Sequence, residues 1–141
     1  GDKIDRLERL NISAPVMGKS GQLAGEVMHI DRFGNLITNI TRDHLQFLYG
    51  PTKNNPEIQN SKLEIRNPKL ETRNSKLETV IGKEKIIGLC ASYMDVGKGR
   101  PLAIIGSTGY LEISVNQGSA QKYFKARRES KVMAGIIALT I

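Results

Sequence analysis

Between residues 23 and 41, two apolar, β-rich runs flank one polar interruption, "DRFGN" (31–35). The two runs, 23–32 and 35–41, predict a hairpin about Phe33–Gly34, where glycine tolerates positive φ. The same punctuation recurs downstream. "LETVIG" and "EKIIGLC" predict a second hairpin across Gly82–Lys83, and "PLAIIG" (101–106) a buried strand bounded by Pro and Gly. "YLEISVN" (110–116) alternates Leu111, Ile113 and Val115 on one face with Glu112 and Ser114 on the other. "VMAGIIALTI" supplies a closing strand. Helical signals are short: "TRDHLQFL" (41–48), with Asp43 as candidate N-cap, and "QGSAQKYF", with helix formers for one or two turns. Many short strands, glycine-rich turns and no βαβ alternation predict an all-β fold, a small barrel or a sandwich.

Residues 59–79 break this pattern with three copies of a seven-residue unit, "QNSKLEI RNPKLET RNSKLET". Each copy offers one apolar position (Leu63, Leu70, Leu77) where a coiled-coil seam needs two, and Pro68 interrupts any helix. The polar composition predicts an exposed, dispensable insertion at about 56–79. The expected organisation is therefore an N-terminal segment or linker remnant (1–21) and one β domain (22–141) interrupted by the repeats.

Composition narrows the function classes. The 141 residues carry a net charge of +7, but residues 121–131 hold five cations against Glu129. That local sum of +4 leaves +3 for the rest of the chain, so the basic stretch reads as a solvated tail rather than a nucleic-acid face. No run approaches the roughly 20 apolar residues of a membrane span. A single Cys90 excludes an internal disulfide and suits a reducing, cytoplasmic compartment. Two histidines and one cysteine give no metal-ligand spacing, so neither a metal nor a cofactor is expected.

Catalytic motifs are missing. There is no GxSxG elbow and no phosphate-binding loop opening a helix, "VGKGRP" (96–101) reads as a turn, and His29 and His44 have no evident partner. Binding chemistry is better represented. "DRFGN" brings together an anion (Asp31), a flat ring (Phe33) and a paired donor and acceptor (Asn35). The same side chains also suit a turn whose Asp and Asn bond only the backbone. "GSTGYLEISVNQGSA" (106–120) exposes Ser107 and Thr108 at a glycine turn that equally suits a plain hairpin.

Together, "GEVMHIDRFGNLITNI" (25–40) and "SYMDVGKGRPLAIIGSTGYLEISVNQGSA" (92–120) resemble the C-terminal domain of the S-adenosylmethionine (SAM) hydroxide adenosyltransferases, relatives of the SAM-dependent fluorinase and chlorinase. The resemblance covers about half the chain. It implies a small Greek-key-like β-barrel that lends one wall of a SAM or adenosine pocket at a homotrimer interface. The other wall would come from a neighbouring subunit's N-terminal α/β domain. Carried onto this sequence, Asn35 would meet the adenine edge, Phe33 and Tyr93 would pack on the ring, and Asp31 would hold the methionine amino group. Ser107 would contact the amino-acid moiety, with Glu112 and Val115 at further pocket positions. Thr108 stands where fluorinases have an arginine, which points to hydroxide rather than halide as nucleophile. SAM is then a substrate, not a cofactor. The water-positioning residues belong to the N-terminal domain, so this chain alone is expected to be inactive. The competing expectation is a decayed or purely structural β domain with no ligand.

Overall fold

The computed structural model describes residues 14–18, 21–48 and 75–138. Eight strands form one sheet: β1 (Val16–Met17), β2 (Leu23–Ile30), β3 (Leu36–Thr41), β4 (Ser75–Ile81), β5 (Glu84–Ile87), β6 (Pro101–Ile105), β7 (Tyr110–Val115) and β8 (Lys131–Ala138). Two short helices, α1 (Arg42–Leu48) and α2 (Ala120–Phe124), and a 3₁₀ turn over Tyr93–Asp95 complete the described elements. The strand order is β5-β4-β8-β2-β3-β7-β6, with β1 against β2 off this path, and all named pairs are antiparallel. The crossovers from β3 to β4 and from β7 to β8 make the order Greek-key-like rather than up-and-down. Just past β5, Cys90 bridges Ile104 of β6, so the sheet nearly closes on itself.

The interior is aliphatic, as scarce aromatics require. Leu36, Ile40, Leu77, Leu111, Ile113 and Val132 are fully buried in one cluster. Both predicted hairpins form, with a register shift between Val27 and His29 that leaves Met28 as an extra residue in β2.

Four sequence expectations need correction. The repeats do not stay outside the sheet through Thr79: β4 begins at Ser75 and pairs with β8 over seven consecutive residues, with Leu77 and Thr79 buried. The reason is continuation, because the third copy runs into "VI" and Leu77, Thr79 and Ile81 then alternate as one strand face. The other two copies, with Leu63, Pro68 and Leu70, lie outside the described residues, as does 1–13 of the N-terminal segment. The basic stretch is no tail, since it forms α2, a turn and the start of β8, where Lys131 sits opposite Glu26. Asp43 does not cap α1 but lies inside its first turn. The cap is Thr41, whose hydroxyl accepts from the His44 amide at 3.3 Å while His44 Nδ1 accepts from the Thr41 amide at 2.9 Å, so His44 has a partner after all.

Candidate functional site

The "DRFGN" turn is held by its own acid. Asp31 Oδ1 accepts from the amides of Phe33 and Asn35, and Oδ2 accepts from Asn35 Nδ2, all at 2.9 Å. A carboxylate has about four lone-pair sites, so one on Oδ2 stays open. Burial alone raises the Asp31 pKa, but the hydrogen bonds from Asn35 and Phe33, with the nearby His29, together hold it below the ordinary value. Asn35 keeps its second amide hydrogen, and its Oδ1 accepts no hydrogen bond among the described residues. That leaves a free donor and acceptor side by side. Phe33 is two-thirds exposed, with the Arg32 guanidinium 5.1 Å from its ring centre.

This turn rests on the other motif. Gly34 has φ +88°, and any Cβ there would run into the Ser119 hydroxyl, so glycine is required twice over. The Gln121 amide donates to the Gly34 carbonyl at 2.9 Å, and Ser119 caps α2 by accepting from the Lys122 amide. "QGSA" therefore buttresses "DRFGN".

β7 supplies the floor. Leu111, Ile113 and Val115 face the core, while Glu112 and Ser114 lie on the outer face beside β3, where Ile37 pairs with Glu112. On most barrels that face is wet; here Leu102, Ile104 and Ser114 are buried on it. The segment from Gly88 to Arg100 runs across them, tied by Cys90 N to Ala103 O (2.8 Å), Gly99 N to Asn116 O (2.8 Å) and Asn116 Nδ2 to Val96 O (2.8 Å). Within it, Ser92 and Asp95 form a capping box that shapes the 3₁₀ turn. The turn presents Tyr93, whose hydroxyl donates to Glu112 Oε1 at 3.2 Å.

Burial is the main cause raising the Glu112 pKa. The charge of Asp31 adds to it, and the Tyr93 hydrogen bond opposes it. The Tyr93 phenol is also raised, by burial first, then by Glu112 and Asp31. Asp31, Tyr93 and Glu112 therefore share one electrostatic neighbourhood. Glu112 Oε2 packs against Gly106, where a Cβ would displace it, so the Gly106–Gly109 turn carrying exposed Ser107 and Thr108 abuts the carboxylate.

The structure thus gathers Asp31, Asn35, Tyr93 and Glu112, with Phe33 on the same turn and Ser107 and Thr108 at the rim. Val115 does not join them: it is 7% exposed, belongs to the core cluster and points to the opposite face of β7. Sequence reasoning missed Ser114. The sequence placed it only on the face opposite Leu111, Ile113 and Val115, yet its hydroxyl is buried without a well-formed hydrogen bond, near enough to Tyr93 to favour the ionised phenol. The alternation that paired it with Glu112 was the available signal. Among the described residues no group of three or more His, Cys, Asp or Glu is placed to hold a metal ion, and no helix is long and apolar enough to cross a membrane.

Residues 25–133, most of the chain and all of this site, match the model of the SAM hydroxide adenosyltransferase C-terminal domain family. The chain belongs to that family. An uncharacterized conserved protein from Thermotoga maritima has the same fold (TM-score 0.61, 23% identity), and the match covers 89% of this chain and 40% of that one. A conserved hypothetical protein from Thermus thermophilus is similar at 24% identity and TM-score 0.49, over 77% of this chain and 33% of that one. This domain therefore spans less than half the length of either. No curated protein matches the chain.

Proposed function

We propose that this domain supplies one wall of a SAM or adenosine site, the remainder coming from an N-terminal α/β domain of the same family, with a homotrimer as the complete assembly. One observation carries the reading: Asn35 keeps a free donor and a free acceptor on the turn that exposes Phe33, and Asp31, which holds the Asn35 amide, shares the electrostatic neighbourhood of Tyr93 and Glu112. A paired amide of this kind matches the adjacent donor and acceptor of an adenine edge. The turn-shaping role of Asp31 is compatible with this, because its third hydrogen bond orients the Asn35 amide rather than consuming it.

The reaction in the complete protein is attack of hydroxide on the 5′ carbon of SAM, giving adenosine and methionine. This chain binds and orients, and the groups that position water lie in the partner domain. Calorimetric titration of the chain with adenosine tests the reading; weak, saturable binding that Asn35→Ala removes is expected. Absence of saturation at millimolar adenosine would exclude the site. The purified chain alone should release no methionine from SAM above background, and release would show that the domain carries its own catalytic groups.

A further inference from the structure

On the outer face of β7 the acids outnumber their counter-charges. Neither Asp31 nor Glu112 forms an ion pair with a described residue, and the only charges perturbing Glu112 or Tyr93 are acidic. His29, exposed on β2, acts on Asp31 alone. Two carboxylates that repel one another on a partly covered surface are relieved by a cation and resist an anion. Asp31 retains a lone pair, and Glu112 is held between Tyr93 and Gly106 in a fixed position. Independently of the acids, Ser114 Oγ lies fully buried on the same face of β7 without a well-formed hydrogen bond, close to the Tyr93 phenol. An unmet buried hydroxyl is costly, and a nucleoside bringing a polar atom would meet it.

We propose that Glu112 is a specificity-determining residue for the charge of the 5′ substituent. With Asp31 it favours an adenine nucleoside carrying a sulfonium over its neutral thioether, and it rejects 5′-phosphates. The proposal rests on the adenine-site reading and adds to it the residue that discriminates substrate from adenine nucleotides.

The test is titration of the chain at low ionic strength with four ligands: SAM, S-adenosylhomocysteine, adenosine and AMP. The native chain should bind SAM about tenfold more tightly than S-adenosylhomocysteine, and AMP about tenfold more weakly than adenosine, as a partly screened charge pair allows. Glu112→Gln should bring each pair within about twofold, and Glu112→Asp should keep part of the discrimination. A uniform loss for all four ligands, or continued exclusion of AMP in Glu112→Gln, would overturn the proposal. So would native binding of adenosine with no charge preference, which leaves the adenine site standing. Failure of the native chain to bind adenosine at all overturns both.

Discussion

The two halves of the barrel are built differently. In the β4–β8 half, seven residue pairs run without interruption from Ser75↔Ala138 to Ile81↔Val132. In the β2–β3–β7–β6 half, both the β2–β3 and β3–β7 registers shift, Gly34 and Gly106 make room for Ser119 and Glu112, and a covering segment buries the outer face. The regular half stores stability in repetitive hydrogen bonding and alternation. The irregular half departs from regularity where Asp31, Tyr93 and Glu112 meet, as expected when a fold gives up local ideality to place side chains. Among the described residues, each half also holds one buried hydroxyl without a well-formed hydrogen bond. Thr79 lies on the core face of β4 and Ser114 on the outer face of β7 beside the Tyr93 phenol, so the same defect has two different meanings.

The largest expected effect breaks the regular half. Leu77→Ala, in the third repeat copy, should cost about 2–5 kcal/mol in denaturant unfolding, as for a fully buried leucine. An unchanged midpoint would mean that the repeat-derived strand contributes nothing to the barrel. Next comes Gly34→Ala, which meets both a left-handed φ and Ser119 and should cost about 1–3 kcal/mol while also weakening adenosine. Stability loss without affinity loss would uncouple the turn from the ligand. Asn35→Ala should weaken adenosine by about 1–3 kcal/mol, or about 5- to 150-fold, exceeding its effect on the thermal midpoint. The reverse ranking would reduce Asn35 to a turn former.

Smaller effects sharpen the contrast between the two hydroxyls. Thr79→Val should stabilise the domain by about 1 kcal/mol without altering any ligand affinity, because it removes an unmet polar atom from a dry site. Ser114→Ala should also stabilise the free domain but lower adenosine affinity. Equal behaviour of both variants in the titration would erase the distinction.

The pH dependence is the smallest and has two opposite signs. Glu112 has a raised folded pKa, so the folded state holds its proton more tightly than the unfolded chain does. Its contribution therefore becomes more favourable as pH falls through the folded value towards the unfolded one. Asp31 is lowered, so its stabilisation is present above the unfolded pKa and is lost as pH falls through the folded value. Glu112→Gln should therefore raise the midpoint at neutral pH and leave it unchanged in acid. A variant equally stabilised at both would show that the carboxylate carries no penalty.

Most of the elements were legible because they are local. Both hairpins follow from β-rich runs and glycine punctuation, the β6 strand from a short apolar run bounded by Pro and Gly, and α2 from its helix formers, all signals that act over a few residues. The boundary at Thr79 was misread because composition was judged over whole repeat copies, whereas the strand is set by Leu77, Thr79 and Ile81 in the register of β8. Asp43 was misread because an acid and a hydroxyl compete for the cap, and only the geometry at Thr41 and His44 settles which one faces the free amides. Val115 was carried along with its motif. Its parity on β7, shared with Leu111 and Ile113, already sent it to the core.

The β pattern, the aliphatic interior, the family resemblance and the chemistry of the "DRFGN" turn, whose side-chain hydrogen bonds all fall within five residues, are written in the order of the amino acids. That Tyr93 meets Glu112, that "QGSA" supports Gly34 and that Ser114 is buried follow from the folded arrangement alone. Those contacts join residues far apart in the chain across the Greek-key order and beneath the segment from Gly88 to Arg100. Burial on an outer strand face depends on what crosses over it, and no alternation along the strand can encode that.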